Sequence, residues 1–123
     1  FVDHPAIARI MTALVQTPGD RRNLAQWAEE VKLSERSLSR HWRELVGMSF
    51  HDWRQRAKLV AALAMLEKGC SNDEIARRLG YNSTSAYIAM VRQMTGASPE
   101  RLRRENRGDS PIRSQAAKET AGT

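Results

Sequence analysis

The chain has 123 residues, of which 41% are hydrophobic and 28% are charged, a composition typical of one small globular domain. Its 20 Lys and Arg outnumber its 14 Asp and Glu, so the formal net charge is +6, which suits a polyanionic partner such as nucleic acid or an acidic protein. A basic surface that only confers solubility explains this charge equally well. No apolar run approaches the roughly 18 residues of a membrane span, so we expect no membrane association.

The cysteine and histidine content argues against two further classes of site. The single cysteine, Cys70, cannot form an internal disulfide, and no cluster of Cys and His has the spacing of a metal site. We therefore expect that the protein binds neither a metal nor another cofactor. We also expect it to be located in a reducing cytoplasm. The chain begins at Phe1 without a signal peptide, and a truncated N-terminus is the simplest explanation of that start.

Apolar residues recur at intervals of three and four along the chain, and no segment alternates with the period of two that a strand requires. This pattern predicts an all-α fold. Caps and helix breakers set the boundaries, for example Asn23 before the second helix and Gly47 after the third. The predicted helices, in chain order, cover residues 5–16, 24–32, 35–46, 50–68, 73–79, 83–95 and 99–104. The polar tail at 105–123 lacks apolar periodicity and is expected to be disordered.

Apolar stripes on these helices predict which side chains face a core. They include Val15 in the first helix, Leu45 in the third, and Val60 and Leu63 in the long fourth helix. All three tryptophans fall on such stripes. We therefore expect them in the core, where they cannot stack on the bases of a single-stranded nucleic acid.

A repeat is the strongest signal in the sequence. Two segments about 48 residues apart share a short helix with a central alanine, a tight turn, a longer helix and a glycine. The alanines, Ala28 and Ala76, allow the two helices of each segment to cross closely, as in a helix-turn-helix unit, whose second helix can enter a DNA major groove. We predict a first unit at about 5–48, a linker helix at about 50–68 and a second unit at about 71–104.

The predicted linker helix has a length that matters for DNA. At about 19 residues and 1.5 Å per residue it spans roughly 28 Å. One turn of B-DNA is about 34 Å, so such a connector would set both units against successive major grooves. Its basic side chains suit either contacts to the phosphate backbone or a solvated face: Arg54, Arg56 and Lys58.

The third helix carries an arginine ridge. At about 100° per residue, Arg36, Arg40 and Arg43 fall on the face opposite Leu38 and Trp42. Guanidinium groups form bidentate hydrogen bonds to guanine and strong contacts to phosphate. A single exposed arginine is usually just solvated, but three on the outward face of a helix-turn-helix unit favour DNA contact.

The sixth helix presents a less basic surface. Ser85, Ala89 and Arg92 are predicted to point outward. Arg92 suits a phosphate, Thr84 and Ser85 suit base edges or phosphate, and Ala89 suits a thymine methyl group. A helix that only positions the duplex, without base recognition, explains this surface as well.

Two motifs identify a family. The segment Leu38-Ser39-Arg40-His41-Trp42, followed by Gly47-Met48-Ser49-Phe50, resembles the first half of an AraC/XylS-type DNA-binding domain. The segment Ile75-Ala76-Arg77-Arg78-Leu79-Gly80-Tyr81, followed by Gly96-Ala97-Ser98-Pro99, resembles the second half. The resemblance covers about residues 5–104.

The resemblance implies a seven-helix domain that binds operator or promoter DNA in adjacent major grooves and regulates transcription. It implies base contacts at these positions: Arg36, Ser39, Arg40, Thr84, Ser85, Ile88 and Ala89. It also implies RNA polymerase as a partner, a location on the bacterial nucleoid, and a separate N-terminal sensing or dimerising domain absent from this chain. The fragment is then expected to be monomeric and the full-length protein dimeric.

The sequence departs from the family pattern at a few positions. Lys32 stands in the first turn, where glycine is common and where a left-handed backbone would cost a lysine roughly 1–2 kcal/mol. Val91 replaces a usual phenylalanine, and Ile88 and Ala89 replace more polar residues. These changes bear on how much sequence the second unit recognises.

Other classes of function are weaker hypotheses. His4, His41 and His51 belong to no catalytic motif, and Cys70 lacks the positive helix end that activates a thiol, so we expect no enzyme. A helical protein-interaction module with a basic face is the main alternative, and structured RNA is a third partner class. A preference for particular sequences among DNA duplexes would distinguish the DNA-binding hypothesis from the protein-interaction and RNA-binding hypotheses.

Overall fold

The computed structural model describes residues 4–106, and these residues form seven α-helices and no strand. The helices, in chain order, are α1 (Pro5–Gln16), α2 (Leu24–Glu30), α3 (Glu35–Val46), α4 (Phe50–Glu67), α5 (Asn72–Arg78), α6 (Thr84–Thr95) and α7 (Pro99–Asn106). The all-α prediction is confirmed, and every predicted boundary lies within two residues of the observed one. Helix α7 includes the first two residues of the predicted tail, whereas 107–123 lie outside the described residues.

Side-chain caps explain where several helices begin. Asn23 Oδ1 accepts from the Gln26 amide and Gln26 Oε1 accepts from the Asn23 amide, both at 2.8 Å, so the predicted cap Asn23 is part of a capping box. Ser34 Oγ caps α3 and Ser83 Oγ caps α6, each by accepting a backbone amide at 3.1 Å. The two longer helices of the repeat therefore each start at a defined serine.

The first compact unit runs to Ala61 and also includes Arg78–Gly80. Its core is built from buried side chains of the first four helices: Ile7, Ile10, Leu14, Trp27, Ala28, Leu38, Trp42 and Phe50. The Trp42 ring meets the Phe50 ring edge-on at 5.2 Å and the Trp53 ring at 5.5 Å between centroids. These contacts confirm Trp42 as a core residue and fix the inward face of α3.

The second compact unit comprises Ala62–Arg77 and the chain from Tyr81 onward. Its buried side chains come from the end of α4, from α5 and α6, and from the start of α7: Ala62, Leu66, Ile75, Ala76, Tyr87, Met90, Val91 and Pro99. The Arg103 guanidinium of α7 donates to the Cys70 carbonyl at 2.5 Å and to Asn72 Oδ1 at 2.9 Å. These bonds tie α7 to the segment that precedes α5.

Four predicted core residues are instead exposed: Val15 (63%), Leu45 (49%), Val60 (68%) and Leu63 (40%). Val15 and Leu45 lie in the last turns of α1 and α3. On α4 the predicted single stripe is wrong. Phe50 is buried at its start and Leu66 near its end, and at about 100° per residue these two positions are separated by roughly 160° around the helix.

Candidate nucleic-acid interface

The outward face of α3 carries the predicted arginine ridge. Arg36, Arg40 and Arg43 are exposed, whereas Leu38 and Trp42 on the opposite face are completely buried. Within residues 4–106 no hydrogen bond or ion pair engages the three guanidinium groups. Burial of the apolar face therefore holds the three guanidinium groups in a row along the surface of α3. Their N–H groups are available to donate hydrogen bonds to an external acceptor.

A groove of about 400 Å³ lies beside this ridge and is lined by Ser39 and Arg43 of α3. The beginnings of α2 and α4 complete its wall together with two charged side chains: Asn23, Leu24, Ser49, Phe50, His51, Glu35 and Arg54. A helix N-terminus carries partial positive charge and unpaired amides, which favours anions. The groove thus combines two such ends with Arg43, although the Glu35 carboxylate opposes part of this charge.

The contribution of Asn23, Ser49 and His51 to this groove was not predicted from the sequence. Their signal was available in part, since Asn23 and Ser49 are recognisable caps that mark the starts of α2 and α4. Their proximity to Ser39 arises from long-range packing, which no local pattern encodes.

Arg54, a predicted phosphate contact, also has partners within the first unit. Its Nη2 donates to the Arg22 carbonyl at 2.6 Å and its Nη1 to the Asp20 carbonyl at 3.4 Å, while the guanidinium carbon lies 4.5 Å from the Phe50 ring centroid. Burial lowers the pKa of Arg54, and the Asp20 charge opposes that shift. Arg54 therefore fastens the segment before α2 to α4, and its contact with a phosphate stays a prediction.

The segment that Arg54 holds is itself charge-paired. Arg22 Nη2 donates to Asp20 Oδ2 at 2.7 Å, and this hydrogen bond lowers the pKa of the Asp20 carboxyl group. The Arg22 guanidinium carbon also lies 3.8 Å from the centroid of the buried Trp27 ring. These contacts link the segment before α2 to the core of the first unit.

The other two basic candidates of the linker helix differ from each other. Lys58 is half-buried, and burial lowers its pKa, with smaller contributions from the charges of Arg54 and Arg21. Arg56 is exposed. Of the three linker candidates, Arg56 is the one that is fully exposed, and the phosphate contacts of all three stay predictions.

The outward face of α6 agrees in part with expectation. Ser85, Ala89 and Arg92 are exposed and Tyr87 is completely buried, while Ile88 is only partly exposed. Thr84, also partly buried, donates its hydroxyl hydrogen to Asp73 Oδ1 of α5 at 2.5 Å. Asp73 was not among the predicted site residues, because nothing in the local sequence pairs it with Thr84.

Among the described residues, no helix combines the length and apolarity of a bilayer span. In the same part of the chain, no group of three or more His, Cys, Asp or Glu side chains is arranged to hold a metal ion.

Two short-helix, turn, long-helix segments, each with a buried inner face and an exposed face on the longer helix, define a helix-turn-helix protein. The profile of a family described as a helix-turn-helix domain matches residues 27–105. The chain belongs to this family, in its AraC-type form, as the two motifs indicated.

Curated relatives are transcription regulators by name. The HTH-type transcriptional regulator NimR of Escherichia coli is 38% identical over 98 residues, covering 80% of this chain and 36% of NimR. The HTH-type transcriptional regulator RipA of Corynebacterium glutamicum is 32% identical over 94 residues, covering 76% of this chain and 28% of RipA. The chain thus spans about a third of the length of these relatives.

Solved structures share the fold. The DNA-binding domain of the transcription factor AdpA, solved in complex with a target DNA, superposes with a TM-score of 0.78 at 25% identity, covering 86% of this chain and 96% of that one. The C-terminal domain of the response regulator AraT from Geobacillus stearothermophilus gives 0.77 at 24% identity, covering 83% and 86%.

Proposed function

We propose that this chain is the part of a transcription regulator that binds double-stranded DNA, with α3 and α6 as recognition helices in adjacent major grooves. The observation that carries the proposal is the exposed arginine ridge on α3, whose three guanidinium groups have no partner within residues 4–106. AdpA, whose structure contains target DNA, supports the same use of the fold.

In the first unit, Arg36 and Arg40 are the proposed base readers. Their guanidinium groups match the paired acceptors O6 and N7 of guanine, and Ser39 lies between them on the same helix. Arg43 lines the groove beside α3, and we assign it to a phosphate that also meets the N-terminal ends of α2 and α4. This arrangement would fix the register of α3 in the major groove.

In the second unit, Ser85, Ala89 and the partly exposed Ile88 are the proposed base contacts on α6. Ala89 and Ile88 offer apolar surface to a thymine methyl group, which carries less information than a bidentate pair. Arg92 is assigned to a phosphate, as is Arg56 of α4. The first unit is therefore expected to supply most of the sequence specificity.

The proposal extends to the surroundings of this domain. The regulated step is transcription, so RNA polymerase is the expected second partner, and the location is the bacterial nucleoid. We assign no catalytic role to the chain. The described domain is expected to bind DNA as a monomer, whereas dimerisation is a property of the longer regulator.

Selection of bound duplexes from a random pool, at about 150 mM salt to weaken nonspecific attraction, tests the proposal. The expected result is a motif of two short boxes about one helical turn apart. A single box would restrict base recognition to one unit. If no sequence is enriched, the proposal fails in favour of a protein partner for the basic face.

Replacement of Arg40 by alanine tests the assigned reader on α3. The Arg40→Ala variant is expected to lose about 1–3 kcal/mol on the selected site and to relax one base position, because a bidentate pair discriminates by that amount. Competition binding with duplexes altered at each position measures the effect. Arg104→Ala removes the same charge from α7 and serves as the control. An equal loss of affinity on all duplexes would contradict base reading by Arg40.

A further inference from the structure

The hydroxyl of Thr84 is committed to an internal hydrogen bond at the start of α6. Thr84 is the first residue of that helix, and its Oγ1 lies 2.5 Å from Asp73 Oδ1. A carboxylate has no hydrogen to donate, so the hydroxyl must be the donor. The distance is that of a short, charge-assisted hydrogen bond.

Because of this bond, the Thr84 hydroxyl can accept further hydrogen bonds but cannot donate one. A hydroxyl carries one hydrogen and two lone pairs, and the hydrogen points to Asp73. The remaining lone pairs can only accept. Phosphate oxygens, guanine O6 and N7, and thymine O4 are all acceptors, whereas adenine N6 and cytosine N4 carry amino hydrogens in the major groove. Of these groups, only the amino groups complement the Thr84 hydroxyl while its hydrogen is bonded to Asp73.

We propose that Asp73 is a positioning residue that makes Thr84 an acceptor-only reader of the exocyclic amino group of adenine or cytosine. The inference rests on the proposed function and names the chemistry that α6 recognises at one position. The Asp73 carboxylate acts through Thr84 and also disfavours a phosphate there, since like charges repel. Thr84 is thereby assigned to a base and removed from the phosphate contacts.

The neighbouring serine provides an internal contrast. Ser85 is exposed, and no other group within residues 4–106 engages its hydroxyl. Its hydrogen can rotate toward an acceptor or away from a donor, so Ser85 tolerates either kind of base edge. A strong preference for an amino group at one position is therefore expected from Thr84 and not from Ser85.

Random-pool selection with the wild type, Asp73→Ala, Thr84→Val and Thr84→Ser tests this role. The wild-type motif is expected to contain one position that favours adenine or cytosine by about five- to tenfold, the worth of one hydrogen bond. Thr84→Ser keeps the hydroxyl and the preference. Asp73→Ala frees the hydroxyl hydrogen of Thr84, and Thr84→Val removes the hydroxyl. In both variants the preference for adenine or cytosine at that position is expected to fall below about twofold, while the preferences at all other positions stay unchanged.

A single-group change in the DNA provides the second measurement. If the position is adenine, 2-aminopurine moves the amino group to the minor groove while preserving pairing with thymine. If it is cytosine, pyrimidin-2-one lacks the amino group. Either analogue is expected to weaken wild-type binding by the same five- to tenfold. The affinity of Asp73→Ala for the analogue duplex is expected to stay within about twofold of its affinity for the unmodified duplex.

Glu67→Ala, which removes an exposed acidic residue at the end of α4 in the same unit, is the charge-matched control. Removal of either acid is expected to raise affinity for all duplexes, but only Asp73→Ala changes one position. Thermal unfolding checks that each variant is folded. If Asp73→Ala and Thr84→Val select the same motif as the wild type at every position, the role of Asp73 is overturned and the proposed function still stands. If the wild type selects no motif at all, the proposed function itself is overturned.

Discussion

Side chains of the same type have different surroundings in this protein. Arg40 on α3 has no partner within residues 4–106, whereas Arg54 on α4 donates to two backbone carbonyls and covers the Phe50 ring. Thr84 and Ser85 are adjacent on α6, and only Thr84 is bonded to a neighbouring carboxylate. The surroundings of each residue therefore distinguish a side chain without internal partners from one that is bonded within its unit.

Arg54→Ala is expected to lower the free energy of unfolding by about 1–3 kcal/mol, because it leaves partly buried carbonyls without their donor. Arg56→Ala changes an exposed arginine of the same helix and is expected to alter stability by less than about 0.5 kcal/mol. Urea unfolding of both variants measures the difference. Equal stability of the two would show that the Arg54 bonds contribute little.

The turn between α2 and α3 places a lysine where the backbone favours glycine. Lys32 has φ of 60°, and it is the non-glycine residue with positive φ among those the structure describes. The left-handed conformation, whose cost for a lysine the sequence analysis gave, is therefore present at Lys32. Helix α2 ends at Glu30, two residues before its predicted end, and the Leu33 amide then donates to the Ala28 carbonyl at 2.9 Å.

Lys32→Gly is expected to raise the free energy of unfolding by about 0.5–1 kcal/mol. Relief of left-handed strain, about 1–2 kcal/mol, exceeds the extra entropy that glycine loses on folding, about 0.5–1 kcal/mol. Lys32→Ala removes the same charge without relieving the strain and is the matched control. Thermal unfolding in the absence of DNA compares the two, and an equal gain in both would attribute the effect to charge.

Helix α4 shows why a long helix is harder to interpret than a short one. Its buried positions change from the Phe50 face at its start to the Ala62 and Leu66 face near its end. Val60 and Leu63 belong to the stripe expected from one continuous buried face, and they are exposed. A periodic pattern indicates a helix securely, but it indicates a single buried face only where one neighbour covers the whole length.

For the domain as a whole, the excess of basic residues predicts salt-dependent DNA binding. Each phosphate contact contributes about 0.9 to the slope of log affinity against log salt concentration. Such contacts attract every duplex alike, whereas base contacts separate one sequence from another. The two kinds of arginine proposed here are therefore distinguishable in one set of titrations.

Arg43→Ala and Arg92→Ala are each expected to flatten the salt slope by about one unit and to weaken all sequences alike. Arg43→Lys keeps the charge and is expected to keep the slope. Affinities measured over a range of salt concentrations on selected and scrambled duplexes provide the data. A changed base preference with an unchanged slope would reassign the residue from phosphate to base contact.

The sequence alone was sufficient for the all-α class, the seven helices, the repeated helix-turn-helix unit and the family. These follow from the period of apolar residues, from caps such as Asn23 and Ser83, and from short motifs, all of which are local along the chain. The predicted arginine ridge follows equally directly, because residues three and four apart share one face of a helix.

Other features depended on the tertiary structure. Three of them bring together residues that are distant in the sequence: the hydrogen bonds of Arg54, the Thr84–Asp73 pair and the groove beside Ser39. The exposure of Leu45 likewise depends on which helices pack beside it. Packing of whole helices places these groups, and a side chain then becomes available or committed according to what packing brings within hydrogen-bonding distance. Local periodicity carries no information about such contacts, so the helices are predictable while the partners of their side chains are not.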